Sequence, residues 1–149
     1  MRVTKRTNIA IRVLMYCADN SGRLVTKSEI ATRCSASENH VAQVVNQLGQ
    51  LGFLKTHRGR NGGLELARVP HDICIGEVFR AVEVAVPATE CTNDCDGNCP
   101  LIAACRLRHA LAEACEAFYA QLDALSLDML VGGNPALLDA IAPQASAHP

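Results

Sequence analysis

The 149-residue chain contains no tryptophan, and aromatic residues make up only 3% of it. Apolar residues nevertheless make up 49% of the sequence. A hydrophobic core therefore has to be built from Leu, Val, Ile and Ala. A chain of this length corresponds to about one ordinary domain and does not need disulfides to hold its core together. The composition predicts one globular unit with at most a short appended element.

Two kinds of long hydrophobic segment are also missing. No secretory signal follows Met1, because Arg2, Lys5 and Arg6 interrupt the first ten residues. No apolar run reaches the roughly 18 residues that a membrane span requires. We therefore expect a cytoplasmic protein without membrane contact. In that compartment thiols stay reduced, and clustered cysteines bind metal or carry out redox chemistry more often than they form disulfides.

The net charge of −1 conceals an uneven distribution of charge along the chain. Residues 1–68 contain 11 Lys and Arg against 4 Asp and Glu, whereas residues 69–149 contain 3 against 11. A basic half joined to an acidic half indicates that the first half meets a polyanion, and nucleic acid is the commonest case. The alternative is an accidental bias of the surface.

Two helices are predicted near the start of the chain. The segment 4–20 repeats apolar residues at the spacing of a helix with one buried face. Thr26 and Glu29 have the spacing of a capping box, in which each side chain binds the other residue's backbone N–H. This pair predicts a short second helix over 27–34.

A third helix and a hairpin complete the first domain. Ser37 is placed to cap a helix over 38–51, which a three-residue turn joins to the second helix as a helix-turn-helix. Strand-like segments follow at 53–57 and 64–67. Between them, Asn61-Gly62-Gly63 accepts the positive φ of a tight hairpin turn. A helix-turn-helix followed by a hairpin predicts a winged helix.

The rest of the chain is predicted to be helical apart from one loop. A short helix is expected over 73–83 and a long helix over 100–131. Apolar residues of the long helix recur at alternating steps of four and three, as in helices that pair with a copy of themselves; packing onto its own domain is the alternative. This seam comprises Leu111, Cys115, Phe118, Leu122, Leu125 and Met129.

The predicted fold is thus mainly α with a small β-hairpin. Its four parts are a winged helix-turn-helix DNA-binding domain at 1–83, a cysteine-rich loop at 84–99, a dimerisation helix at 100–131 and a C-terminal tail at 132–149. Two DNA-binding modules joined by a symmetric helix seam would read a palindromic operator in double-stranded DNA.

Polar and basic side chains of the first domain are candidate DNA contacts. Hydrogen-bonding side chains at the start of a recognition helix reach base edges, Arg at a wing tip can enter a narrow minor groove, and Lys or Arg elsewhere binds phosphates. A solvated surface charge is the alternative for each. The candidates are Ser37, Asn39, His40 and Gln43 for bases, Arg58 and Arg60 for the groove, and Lys5, Arg6 and Lys27 for phosphates.

Four cysteines, Cys91, Cys95, Cys99 and Cys105, lie within ECTNDCDGNCPLIAAC. A disulfide, a zinc site, a redox switch and an iron–sulfur cluster are four possible uses of these thiols. Zinc sites commonly contain CxxC pairs, which this loop lacks, whereas a cluster requires thiolates on an irregular loop such as this one. The sequence has no CxxC, no Gly-rich nucleotide loop and no general-base constellation, so we do not expect an enzyme.

Four segments resemble the Rrf2-type winged-helix transcription regulators, a family that includes IscR, RirA and NsrR. They are TKRTNIAIRVLMYCA, SENHVAQVVNQL, RGRNGGLEL and CPLIAACRLRHAL, and the resemblance covers about residues 1–131. It implies a homodimeric regulator whose DNA affinity is set by a cluster held by three cysteines of this loop. By position these are Cys91, Cys99 and Cys105.

The resemblance also bears on the fourth ligand and on the signal. In some NsrR proteins an acidic residue near the N-terminus of the partner subunit supplies the fourth ligand, and the matching position here is Asn8. Cys95, a small molecule and no fourth ligand at all are the alternatives. A 4Fe–4S cluster is implied in preference to a 2Fe–2S cluster. ENHVAQVVNQL resembles NsrR more closely than RirA, which favours nitric oxide as the signal. An iron-responsive, a redox-responsive and a zinc-stabilised regulator remain the alternatives.

Overall fold

A computed structural model describes residues 3–83, 104–134 and 136–137 of the chain. Among these residues the chain forms six α-helices, one antiparallel hairpin and one short 3-10 helix at Pro70–Asp72. The elements are α1 Lys5–Asp19, α2 Lys27–Arg33, α3 Glu38–Gln50, β1 Leu54–His57, β2 Gly63–Leu66, α4 Ile75–Val82, α5 Arg106–Asp123 and α6 Leu127–Val131. The predicted fold class, mainly helical with one hairpin, is confirmed.

The first three helices begin where the sequence predicts. The Thr26 hydroxyl accepts from the Glu29 N–H at 3.2 Å, and a Glu29 carboxylate oxygen accepts from the Thr26 N–H at 3.4 Å, so the capping box is formed. The Ser37 hydroxyl caps α3 by accepting from the His40 N–H at 3.3 Å. Gly52 follows the end of α3 with a φ of +80°. Local capping chemistry therefore defines the helix-turn-helix.

The hairpin pairs β1 with β2, with Leu54 opposite Leu66 and His57 opposite Gly63. An additional bridge joins Val25, just before α2, to Leu64 of β2. Residues 54–57 and 63–66 thus form the predicted wing, and the bridge attaches it to the helix-turn-helix.

The wing turn differs from the predicted one. The positive φ belongs to Gly59, at +106°, and the Gly62 N–H donates to the Gly59 carbonyl at 3.0 Å. Gly62 and Gly63 are needed for close approach instead. A Cβ at Gly62 would overlap the His57 carbonyl oxygen, and a Cβ at Gly63 would lie 2.8 Å from the Val25 carbonyl oxygen. The loop over 58–62 is therefore longer than a two-residue turn.

The predicted helix over 100–131 is wrong in its extent. α5 begins at Arg106, and residues 124–126 separate it from α6. The Ile75 N–H donates to the Leu125 carbonyl at 2.9 Å, and the Leu127 N–H donates to the Ile73 carbonyl at 2.9 Å. The helix ends because this backbone pairing, together with the complete burial of Leu127, requires a non-helical segment there.

The predicted self-pairing seam of that helix largely packs onto its own chain. The Phe118 ring contacts the Phe79 ring of α4 at a centroid distance of 6.0 Å. Leu122 and Leu125 pack against the core, whereas Met129 lies in α6 and is 60% exposed. The alternative of packing onto its own domain is thus correct for Phe118, Leu122 and Leu125.

One hydrophobic core joins the elements before and after the cysteine-rich segment. Val13 and Leu14 of α1, Leu48 of α3, Val78 of α4 and Leu127 of α6 are all completely buried. The core therefore fixes α4 and α6 relative to the helix-turn-helix.

Candidate nucleic-acid interface and cysteine site

α3 buries one face and exposes polar side chains elsewhere. Its apolar residues pack against α1 and α2, which fixes the orientation of the helix. The four predicted base contacts are exposed, as a recognition helix requires: Ser37, Asn39, His40 and Gln43.

The first turn of α1 lies beside α3. Lys5 and Arg6 line a cleft of about 200 Å³ together with His40 and Gln43. The structure thus brings two predicted phosphate contacts to two predicted base contacts. A duplex whose groove receives the start of α3 would have its phosphates close to Lys5 and Arg6.

The other predicted DNA contacts lie on separate elements. Arg58 and Arg60 flank Gly59 in the wing loop, and both are exposed. Lys27 is the first residue of α2 and is half-buried, so only part of its side chain can reach a phosphate. These three residues do not line the cleft between α1 and α3.

A charged network fixes α1 relative to α2. The Tyr16 hydroxyl donates to the Glu29 carboxylate at 2.5 Å, and Arg23 forms an ion pair with the same carboxylate. The hydrogen bond from Arg23 is the main reason why the pKa of Glu29 falls to about 2. The sequence revealed only the capping role of Glu29, because Tyr16 and Arg23 show no local pattern.

Asn8, one candidate for the fourth ligand, is exposed on α1. It lines an open cavity of about 680 Å³ whose walls include Arg12 and Ser35. The Arg12 guanidinium donates to the Cys34 carbonyl at 3.0 Å, so it supports this wall. Asn8 is accessible, and its role as a ligand stays a prediction.

Cys105 is the one predicted cysteine ligand that lies within the described residues. It is half-buried at the N-cap position of α5, and its side chain makes no capping hydrogen bond. Cysteine sulfur is the usual protein ligand of iron–sulfur clusters, and the partial exposure of Cys105 is compatible with that role. Cys91, Cys95 and Cys99 lie outside the described residues, and residues 3–83 and 104–134 contain no group of three His, Cys, Asp or Glu that could hold a metal.

A free cysteine in a hydrophobic core packs as a small apolar residue. Cys17 and Cys34 do so: both are buried, and burial raises the pKa of Cys17 to about 12 and the pKa of Cys34 in the same direction. Cys74 and Cys115 are only half-buried.

The most extensive contact that sequence reasoning missed involves Glu83, the last residue described before the cysteine-rich loop. Its carboxylate accepts hydrogen bonds from the Thr7 hydroxyl, from the Thr4 hydroxyl at 2.9 Å and from the Thr4 N–H at 3.2 Å. Separations of 76 and 79 residues left no local signal for these contacts.

The described residues contain no helix that is both long and apolar enough to cross a membrane.

Comparison with known proteins identifies relatives of the whole fold. Residues 3–133 match the Rrf2 family, described as iron-dependent transcriptional regulators. The HTH-type transcriptional regulator NsrR of Geobacillus kaustophilus is 41% identical over 138 residues, which cover 92% of this chain and 94% of the relative. The protein aau3 of Rhizobium meliloti is 37% identical over 153 residues, which cover 99% of each chain.

A solved structure supports the fold. The structure of T. potens IscR superposes with a TM-score of 0.70 at 24% identity, covering 97% of this chain and 93% of that one. At this level of identity the likeness establishes the winged-helix architecture.

Proposed function

Because the chain belongs to the Rrf2 family of iron-dependent transcriptional regulators, we propose that it is a homodimeric repressor whose operator affinity depends on an iron–sulfur cluster. Nitric oxide is the proposed signal, since relatives at about 40% identity over most of the chain are named NsrR. The chain is a DNA-binding regulator and not an enzyme.

One observation carries the DNA-binding part of the proposal. The start of α3 exposes its polar side chains beside Lys5 and Arg6, and His40 and Gln43 line one cleft with them. Base-reading and phosphate-binding groups thus lie on one continuous surface, within the half of the chain that has an excess of positive charge.

The proposed dimer uses the outer face of α5. No residue of α5 is buried within the single chain, and Leu107 is 64% exposed. Apolar residues recur along the exposed face at steps of three and four: Leu107, Ala110, Ala114 and Ala117. This spacing suits pairing with a second copy. A two-fold dimer presents two α3 helices, which explains why we expect a palindromic operator.

The proposed cluster ligands are Cys91, Cys99 and Cys105, with Asn8 of the partner subunit or Cys95 as the fourth. The accessible thiol of Cys105 at the start of α5 fits this chemistry. When bound, a 4Fe–4S cluster with three thiolate ligands supplies an iron centre that nitric oxide can attack.

The segment that contains the proposed cluster ligands is joined to the rest of the domain through Glu83 before it and Cys105 at its end. Glu83 precedes the cysteine-rich loop and binds the first turn of α1, while Cys105 begins α5. A change in the loop therefore reaches the helices that position Lys5 and α3. A difference of about 3 kcal/mol between two states of the loop would change DNA affinity roughly a hundredfold.

Anaerobic purification tests this proposal. We expect a coloured protein that contains iron and sulfide and binds tightly to a DNA duplex selected from a random-sequence pool. Titration with nitric oxide should bleach the colour and lower the affinity for that duplex in parallel. A colourless protein with stoichiometric zinc and unchanged affinity would contradict the proposal and support a zinc-stabilised regulator.

Iron itself is the second candidate signal, because the matching family is described as iron-dependent. If iron is the signal, protein prepared with a limited iron supply should lose DNA affinity in the absence of nitric oxide. Iron loss at submicromolar free iron, with little response to nitric oxide, would favour an iron-responsive regulator.

A further inference from the structure

The carboxylate of Glu83 holds the N-terminal turn of α1. Thr7 is fully buried, and it is the one polar residue buried to this extent among the described residues. Its hydroxyl donates to Glu83, which also accepts from the hydroxyl and the N–H of Thr4. Thr4 is in turn the N-cap of α1 and accepts from the Thr7 N–H at 3.3 Å. Three hydrogen bonds thus join α4 to the cap of α1.

Glu83 also supplies the charge that this helix end lacks. The first turn of α1 contains no acidic residue of its own. A carboxylate at a helix N-terminus is stabilised by the unpaired N–H groups and the peptide dipoles. Burial raises the pKa of Glu83, but the hydrogen bonds from Thr7 and Thr4 outweigh burial and leave the pKa below its ordinary value.

The position of Glu83 in the chain relates its contact with α1 to the cysteine-rich segment. Glu83 is the C-cap of α4, and the cysteine-rich segment starts at the next residue. The turn that it holds contains Lys5 and Arg6, which line the cleft with α3. Glu83 is therefore adjacent in sequence to the cysteine-rich segment and in contact with the turn that contains Lys5 and Arg6.

The preceding turn of α4 is anchored independently. Arg80 forms two hydrogen bonds with the Asp123 carboxylate, at 2.6 Å and 2.7 Å. The Arg80 guanidinium also lies 4.3 Å from the ring centre of Tyr119. Because α5 holds Arg80 separately, a change that begins after Glu83 would act first on the contacts of Glu83 with Thr4 and Thr7.

We propose that Glu83 is a positioning residue that links the state of the cysteine-rich loop to the first turn of α1 and thereby to DNA affinity. The proposal rests on the proposed function for its DNA readout. Glu83 itself touches neither DNA nor a cluster in this scheme; it acts through Thr4, Thr7 and the placement of Lys5.

The test compares Glu83→Gln with Glu77→Gln. Glu77 is also on α4, but its carboxylate binds Arg68 and not α1. Amide hydrogen exchange of the first turn of α1 is measured in the protein as isolated and after cluster removal. We expect Glu83→Gln to accelerate exchange at Thr7 and Asn8 by about tenfold, because hydrogen bonds to a charged carboxylate are lost. Glu77→Gln should not change it.

The second readout is the ratio of DNA affinities with and without the cluster, measured on the duplex selected by the wild-type protein. Glu83→Gln should bring this ratio at least about tenfold closer to one. Thr7→Val should do the same with its packing volume retained, and Thr7→Ser, which keeps the hydroxyl, should preserve the wild-type ratio. If Glu83→Gln does not fold, the comparison of Thr7→Val with Thr7→Ser still tests the positioning role.

The outcomes separate the two proposals. Unchanged exchange in Glu83→Gln and Thr7→Val, or a wild-type affinity ratio in both, would overturn the positioning role and leave the proposed function intact. If exchange at α1 depends on Glu83 and on cluster loading while wild-type DNA affinity does not depend on loading, the link from the loop through Glu83 to α1 stands, whereas its effect on DNA affinity and the proposed function both fail.

Discussion

The Arg80 guanidinium and the Asp123 carboxylate form a bidentate ion pair between α4 and α5, with N–O distances of 2.6 Å and 2.7 Å. The Cys74 thiol approaches the same carboxylate at 3.6 Å. Asp123 thereby holds both ends of α4 close to the end of α5. The two helices that flank the cysteine-rich segment in sequence are fixed to each other through this residue.

Asp123→Asn should lower the thermal unfolding midpoint, because the neutral amide cannot replace the charged pair. The hydrogen bond from Arg80 lowers the pKa of Asp123, so its stabilisation is present at neutral pH and disappears as the carboxylate is protonated in acid. The two proteins should therefore converge in stability at low pH. Glu113→Gln, also on α5, is the control, and equal midpoints at neutral pH would contradict the prediction.

Gly76→Ala tests the same junction sterically. Gly76 is buried, and a Cβ there would overlap the Asp123 carboxylate. We expect a loss of about 1 to 3 kcal/mol in the free energy of unfolding, as for other overpacked sites. Urea denaturation measures it. Gly76→Ala should cost less when it is introduced into the Asp123→Ala variant than into the wild type, since the smaller side chain removes the overlap.

Glu29 should give the helix-turn-helix a distinct acid sensitivity. Its folded-state pKa is about 2, against an ordinary value of 4.5. A lowered carboxylate pKa stabilises the fold above the ordinary value, and the stabilisation is lost as the pH falls from about 4.5 towards 2. Glu29→Gln should cost about 0.5 to 1 kcal/mol at neutral pH, because the neutral amide can still cap α2 but cannot replace the ion pair with Arg23. The difference in the free energy of unfolding between Glu29→Gln and wild type, measured by urea titration, should vanish near pH 2. A difference that does not change with pH would contradict the prediction.

The DNA-contact assignments predict two different phenotypes. Lys5→Ala should weaken binding to all duplexes about equally and lower the salt slope of log K by about one, because it removes one phosphate contact. Gln43→Ala should reduce discrimination at one base position by about 1 to 3 kcal/mol and leave the salt slope unchanged. Fluorescence anisotropy at several salt concentrations, with matched and single-mismatch duplexes, distinguishes the two. Identical effects of both variants would contradict the assignment.

The helix-turn-helix could be predicted from sequence because its determinants are local. Caps at Thr26 and Ser37 and the apolar spacing of α1 and α3 act within a few residues. The break before Leu127 could not be predicted, because it depends on pairing with Ile73 and on the burial of Leu127. The sequence names the wrong glycines for the positive φ of the wing turn. Glycine occurs both where φ is positive, as at Gly59, and where backbones approach closely, as at Gly62 and Gly63, and the sequence alone does not distinguish these two uses.

The candidate site was predictable to a similar extent. Exposed polar residues on α3 follow from helical periodicity, and so His40 and Gln43 were identified. Their cleft with Lys5 follows from how α1 packs on α3, and the contact of Thr7 with Glu83 joins residues 76 apart. Such long-range contacts have no signature in the spacing of one sequence.

Single substitutions can show which of the loop cysteines are cluster ligands. If Cys91, Cys99 and Cys105 are the ligands, Cys99→Ala should abolish iron and sulfide binding, whereas Cys95→Ala should retain both. Cys115→Ala, on α5 outside the loop, is the control for general effects of removing a thiol. Iron and sulfide content with visible spectra under anaerobic conditions measures the result. Loss of the cluster in Cys95→Ala would make Cys95 a ligand. If Cys95→Ala retains the cluster, Asn8→Ala tests the other candidate for the fourth ligand: a changed cluster spectrum is expected if the exposed Asn8 side chain binds iron, and an unchanged spectrum would exclude it.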